Sequence, residues 1–311
     1  MLPATPTRLG SFVLERRLAF GTMAEVFLAQ RHGDDAPTGI DGAVAVKVLL
    51  PHLEASDAHV AQFLNEARLA CTLRHPNLAR GHSYGQADGR HYLALEFVQG
   101  KDLGAVAERA WKRSPGLLPD VALQIVAAVA DALHHAHGAT PAVVHRDVCP
   151  QNVMLTYSGA VKVLDFGVAW VSARGSDDPP FSEGAPSGRL VGTAAYCSPE
   201  QLLGAPLDAR ADVFSLGVLL HELLTGKRLF RRDSDHQTML AVVEADVPKV
   251  SQLRPKLEAF DEAVLRALQR DPRRRFSTAG ALADSLRELL SPEAPALAGV
   301  LAALYPEPSS A

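Results

Sequence analysis

Residues 144–152 read Val144-His145-Arg146-Asp147-Val148-Cys149-Pro150-Gln151-Asn152, and this stretch decides the fold. It gathers a guanidinium (Arg146), a carboxylate (Asp147) and a carboxamide (Asn152) into one short segment. Pro150 lacks an N–H and fixes its own φ, so the segment turns instead of running on as a helix. An ion pair in a surface loop would account for the charges alone. The flanking sequence has to separate that from a built site.

Immediately upstream, residues 119–137 are apolar nearly all round (Val121, Leu123, Ile125, Val126, Val129, Leu133), which predicts a helix buried in a larger body. His134, His135 and His137 end it, but no carboxylate or cysteine stands at ligand spacing, so a metal site is not indicated. Residues 102–112 predict a second helix. Downstream, strands over 153–156 and 161–164 form a hairpin that leads into Asp165-Phe166-Gly167. Farther on stand Ser198-Pro199-Glu200, then an apolar helix that opens at Asp212 and reaches Leu224. Last comes Asp271-Pro272-Arg273-Arg274-Arg275, whose arginines alone would read as a solvated basic run.

Toward the N-terminus, residues 12–18 and 25–30 predict two strands around Ala19-Phe20-Gly21-Thr22-Met23-Ala24. Taken alone, that is a hairpin turn. A Gly/Asp-rich connection over 31–42 precedes Ala43-Val44-Ala45-Val46-Lys47-Val48-Leu49, an apolar run with the pattern of a buried strand and a single charge, Lys47. A buried lysine needs a partner or loses its proton. The next segment offers one: Val60, Phe63, Leu64, Ala67 and Cys71 recur at helical spacing over 57–73, with Glu66 on the flank of that stripe. After His75-Pro76-Asn77, residues 81–97 give two more strands about a turn at 85–89. Five strands and one helix make a small lobe, and Glu96-Phe97-Val98-Gln99-Gly100 leaves it.

Composition bounds the partners. At 311 residues the chain can bury a large core, and 47% hydrophobic with 21% charged residues is that of a soluble globular protein. A formal net charge of -4 argues against nucleic acid or an anionic membrane as main partner. Cys71, Cys149 and Cys197 are widely spaced and in no C-x-x-C pattern, so neither a disulfide framework nor zinc is implied, and a cytoplasmic location is the simplest expectation. No apolar run approaches the length of a membrane helix.

Taken in order, these elements resemble the motifs of a eukaryotic-type (Hanks-type) serine/threonine protein kinase, with phrases such as Gly21-Thr22-Met23-Ala24-Glu25-Val26 similar to the bacterial branch. The resemblance covers about residues 11–290. It implies an α+β bilobal fold: a small five-stranded antiparallel lobe with one helix (11–98), then a hinge and a larger, mainly helical lobe (99–290). Residues 1–10 are expected as an extension and 291–311 as a Pro/Ala-rich tail that caps the large lobe or binds a partner. ATP, with Mg²⁺, would occupy the cleft between lobes and pass its γ-phosphoryl to a protein hydroxyl.

The resemblance also assigns roles. Asp147 would accept the acceptor's proton, and Asn152 with Asp165 would hold Mg²⁺. Lys47, paired with Glu66, would meet the α- and β-phosphates, and Thr193 would join the catalytic group. The nucleotide would touch Ala19, Phe20, Gly21, Thr22, Met23, Ala24, Val26, Ala45, Leu95, Glu96 and Val98. Asp212 would take hydrogen bonds from the catalytic-loop backbone, and Arg275 would pair with Glu200. Phe166 and Gly167 complete the metal-loop motif. Arg146 would receive an activation-loop phosphate carried by Ser172, Ser176, Ser182 or Ser187, a charge-assisted contact.

Two departures keep a second reading open, a pseudokinase scaffold that binds nucleotide without efficient transfer. Ala19 and Ala24 replace the outer glycines of the phosphate flap, tolerable unless φ is positive, where a methyl costs roughly 1–2 kcal/mol. Cys149 stands where serine/threonine kinases usually carry lysine. A unit charge at ~4 Å in an effective dielectric of about 20 is worth at most ~4 kcal/mol.

Overall fold

The computed structural model describes residues 7–32, 42–114, 116–165 and 193–306, with the backbone of 170–171. The chain divides into two compact units, one running to Val98 and including Asp165, the other beginning at Gln99.

The first unit is an antiparallel sheet with one α-helix. In chain order it contains Thr7–Leu9 (β1), Phe12–Phe20 (β2), Ala24–Arg31 (β3), Ala43–Leu49 (β4), Asp57–Thr72 (α1), Gly81–Ala87 (β5) and Arg90–Glu96 (β6). The strands lie in the order β1-β2-β3-β4-β6-β5. The sheet therefore has six strands, not the five expected. The addition, β1, lies within the stretch anticipated as an extension. Gly10 turns it back at φ +52°, so that Thr7 to Leu9 pair with Leu14 to Phe12. Three residues are too few to display an alternating pattern, but Leu9 is buried in the core.

The apolar run of β4, interrupted only by Lys47, follows from burial on both faces. Val44, Val46 and Val48 enter one cluster with Leu9, Phe12, Ala29 and Ala94. Leu49, on the opposite face, packs with Phe63, Ala67 and Ala70 of α1 and with Leu93 of β6. Strand alternation puts Lys47 on the α1 side with Leu49. A single 3₁₀ turn, Pro51–Leu53, joins β4 to the approach of α1.

The second unit opens with Gly100–Asp102 (β7), Leu103–Trp111 (α2), Pro119–His137 (α3), Val143–Val144 (β8), Val153–Thr156 (β9), Val161–Val163 (β10) and Trp170–Val171 (β11). It continues through Pro199–Leu202 (α4), Arg210–Thr225 (α5), Asp235–Glu244 (α6), Val250–Leu253 (α7), Asp261–Ala267 (α8), Ala279–Glu288 (α9) and Leu297–Leu304 (α10). Helix α5 is the axis, buried from Ala211 to Thr225, which is why its sequence is apolar on every face. It packs against α3, α8 and α9. Gly217 permits the approach of α8, since a Cβ there would lie 2.9 Å from Ala267 Cβ. The last segment of the chain is helical at α10, with Leu297, Leu301 and Leu304 buried. Arg113 donates to the Ala303 carbonyl at 3.0 Å, and Arg109 faces the Tyr305 ring at 4.5 Å. No helix among the described residues is long and apolar enough to cross a membrane.

His221, buried in α5, donates from Nε2 to the Pro248 carbonyl at 3.3 Å, and its Nδ1 has no partner. Burial holds its pKa down at about 4, against an ordinary 6.5. The unfolded chain therefore binds the extra proton first, and stability falls as pH drops from 6.5 toward 4. We expect this residue to contribute a loss of about 3 kcal/mol across that window. Urea unfolding at both pH values should show the smaller loss in His221→Gln.

Candidate active site

In the second unit, the loop from His145 to Asn152 turns through Arg146 at φ +67°, a left-handed conformation that costs a non-glycine residue roughly 1–2 kcal/mol. Two side chains from other elements hold it there, and a third steadies one of them. Asp212 of α5 accepts the N–H of His145 at 2.9 Å and of Arg146 at 2.8 Å. Gln201 of α4 donates to the Arg146 carbonyl at 2.9 Å. His137, at the end of α3, donates to the same Asp212 carboxylate at 2.7 Å. Burial alone would push the Asp212 carboxyl up, but His137, His145 and the Arg146 N–H more than offset it and leave it below the ordinary value.

Within the loop, His145 donates from Nε2 to the Leu164 carbonyl at 3.0 Å and accepts the Asp147 N–H at Nδ1, 3.3 Å away. One ring nitrogen thus donates and the other accepts. The Asn152 amide donates both its hydrogens to Asp147, at 2.8 Å to the carbonyl and 2.9 Å to Oδ2. That fixes the carboxylate's rotamer and leaves the Asn152 carboxamide oxygen as its acceptor. Cys149 is 1% exposed. Thr193 heads the short 3₁₀ turn Ala194–Tyr196, and its carbonyl accepts the Tyr196 N–H at 2.9 Å. The Cys197 thiol is pushed up to about 12 by burial and by the Asp147 carboxylate, so it stays uncharged.

The segment after Thr193 is anchored from below. Arg275 forms a bidentate pair with Glu200 at 2.6 and 2.7 Å and also donates to the carbonyls of Arg210, Gln269 and Arg270. Its neighbours Arg273 and Arg274 lie exposed. Tyr196 donates to Glu222 at 2.6 Å, and Arg228 reaches both.

In the first unit, Lys47 contacts Glu66 of α1 and lies 3.0 Å from Asp165. Burial works to lower the lysine's pKa, but Asp165 and Glu66 hold it above its ordinary value. Burial and the Asp165 carboxylate push Glu66 up to about 8 against the pull of Lys47. Asp165 is left-handed at φ +54°. Val26 and Leu93 pair with Lys47 across the sheet, and Ala45 pairs with Leu95, so these side chains share one face. Gly21 closes the β2–β3 turn by donating to the Ala24 carbonyl at 2.9 Å. Ala19 and Ala24 lie in strands, outside the positive-φ positions, so neither methyl carries the strain that the missing glycines raised. Phe20 is exposed and Thr22 lies in the turn, whereas Met23 is buried. Glu96 turns its carboxylate back to the Arg80 N–H at 3.1 Å, and Val98 ends the unit's continuous N-terminal stretch. Phe166, Gly167, Ser172, Ser176, Ser182 and Ser187 lie outside the described residues.

The "Protein kinase domain" family matches residues 12–286. The chain belongs to the protein kinase family. It is 38% identical over 289 residues to the tyrosine-protein kinase MasK of Myxococcus xanthus, covering 91% of this chain and 43% of that protein. It is 35% identical over 303 residues to the serine/threonine-protein kinase PknB of Mycobacterium leprae, covering 94% of this chain and 45% of the relative. It thus spans less than half the length of both. The crystal structure of the Mycobacterium tuberculosis PknI kinase domain superposes with a TM-score of 0.67 at 30% identity, over 93% of this chain and 99% of that one. In this kinase chain the two positioning residues that sequence reasoning missed are His137 and Gln201. In the sequence His137 stands out only as a candidate metal ligand, and Gln201 carries no charge to single it out.

Breaking a buried ion pair on one side leaves the other charge uncompensated. Arg275→Ala should cost about 3–5 kcal/mol in urea unfolding. Arg275→Lys should recover less than half of that, because lysine lacks the planar fork that meets Glu200 twice.

Proposed function

We propose that this chain is an ATP-dependent serine/threonine protein kinase that transfers the γ-phosphoryl of Mg-ATP to protein hydroxyls. The observation that carries the reading is Asp147, its carboxylate fixed by Asn152 on a loop that Asp212 and Gln201 hold in a strained turn. Phosphoryl transfer asks little covalent chemistry of the protein, so positioning and charge neutralisation dominate. Asp147 would take the proton of the incoming hydroxyl. Lys47, steadied by Glu66, would neutralise the α- and β-phosphates. Asp165 and the Asn152 carboxamide oxygen are hard oxygen donors of the kind Mg²⁺ selects. Such an ion would supply positive charge to the phosphate oxygens. Proteins are the substrate class, and the cysteines fit a reducing, cytoplasmic setting.

The absence of lysine at position 149 removes a cation from the γ-phosphate. The remaining groups supply the larger share of the charge, so the enzyme works more slowly rather than not at all. The same absence favours a second reading of the acceptor. Tyrosine kinases also lack this lysine, and one relative carries the name of a tyrosine-protein kinase. Thr193 in its short turn supports the serine/threonine assignment. Acid hydrolysis of the labelled product and separation of the phosphoamino acids decides between them.

Radiolabelled ATP with the purified chain and a generic basic protein tests the activity. We expect incorporation by wild type and a loss of roughly 10²–10⁴-fold in Asp147→Asn. Equal background from both would support the scaffold instead. Cys149→Lys should raise the rate, by up to about a thousandfold if the new ammonium reaches the phosphate. An unchanged or lower rate would mean that the buried position cannot direct a lysine there.

A further inference from the structure

The seven-residue connection between β4 and α1 (50–56) is held by a set of contacts that the catalytic motifs do not include. Arg90, at the start of β6, donates twice to the Leu49 carbonyl, from Nε at 3.2 Å and Nη2 at 2.5 Å. Its neighbour His91 donates its main-chain N–H to Glu54 Oε1 at 2.8 Å, and its Nδ1 lies 2.6 Å from Glu54 Oε2. Arg90 Nε lies 3.8 Å from the same carboxylate. Glu54 and His91 side chains are 14% and 16% exposed, so these contacts are largely shielded from water. On the other side, the Leu50 N–H donates to the Met23 carbonyl at 2.9 Å. One short segment is therefore tied to the β2–β3 turn, to the end of the Lys47 strand and to the edge of β6.

Its position gives these contacts a consequence. Lys47 lies two residues before Leu49, and Glu66 lies on the helix that the connection delivers. The Lys47–Glu66 contact is buried, so a displacement of α1 would separate charges that have no water to turn to. Hydrophobic packing through Phe63, Ala67 and Ala70 holds α1 against the sheet but is non-directional and tolerates sliding. The hydrogen bond that Glu54 accepts from the His91 main-chain N–H is directional, and it ties the approach to the helix to a fixed point on β6.

We infer that Glu54, bound by Arg90 and His91, is a positioning residue that sets the register of α1 so that Glu66 meets Lys47. This rests on the kinase reading of that pair and assigns to it residues outside the motifs. Glu54→Ala removes both acceptors. Glu54→Gln keeps a carbonyl oxygen for the His91 N–H and should restore most of the function.

The test uses the full chain and two readouts. Hydrogen exchange by mass spectrometry should be roughly tenfold faster over residues 50–66 in Glu54→Ala, with the amides of α5 unchanged. The dissociation constant for a fluorescent ATP analogue should rise about tenfold in Glu54→Ala, return near wild type in Glu54→Gln, and show no further rise when Glu54→Ala is added to Glu66→Gln. Unchanged exchange over 57–66 overturns the inference. So does the same loss of affinity in the Glu66→Gln background, because that additivity means Glu54 does not act through Glu66. A wild-type chain that binds no nucleotide would refute the kinase reading alone, and the exchange measurement would still decide the role of Glu54.

Discussion

The second unit depends on one buried carboxylate. Asp212 is 0% exposed, and an ionised group in that position is costly unless every lone pair is met. Two loop N–H groups and one imidazole meet it. It also lies in the first turn of α5, where the helix dipole favours negative charge. Because α5 is enclosed on all sides, the carboxylate cannot move to find other partners. The loop must come to it. The requirement runs both ways, since the left-handed turn at Arg146 would relax without two strong acceptors on its N–H side.

The first unit follows the same logic with the opposite sign. Lys47 is a buried cation on a strand enclosed on both faces, and two carboxylates share its single ammonium. Burial first, and then their mutual repulsion, raises the Glu66 pKa. Buried charges in both units are thus fixed by the apolar elements that carry them, and the polar contacts are satisfied around that fixed point.

What the sequence disclosed follows from how local each signal is. Helix α3 runs over the residues its periodicity indicates, because nineteen residues of apolar pattern bounded by a proline leave little choice. The β9–β10 hairpin and the two-sided burial of β4 were legible for the same reason. Strand β1 was not, since its pairing depends on a turn at Gly10 and on a partner that only the sheet supplies. His137 and Gln201 were invisible for a different reason. His137 acts through a hydrogen bond to Asp212, which in turn holds the catalytic loop, and Gln201 through one to the Arg146 carbonyl; neither spacing nor charge marks those contacts. The ion pair of Arg275 with Glu200 spans 75 positions and was anticipated only through the family resemblance. No property of the three consecutive arginines distinguishes the buried one.

Among the described residues, the non-glycine positions with positive φ are Asp88, Arg146 and Asp165. Asp88 stands in a tight turn beside Gly89, where strain is ordinary and the side chain accepts the Gly10 N–H at 3.0 Å. The other two belong to the motifs on which the chemistry rests. Glycine would adopt either conformation without the roughly 1–2 kcal/mol penalty, so its absence implies that the side chain is worth more than the strain. At position 165 the reason is visible in the contact with Lys47. At 146 the backbone is already held on its N–H and C=O sides by other residues, so the guanidinium is not needed to make the turn. Burial lowers the pKa of that guanidinium against the pull of Asp212, the same carboxylate that holds the loop's N–H groups.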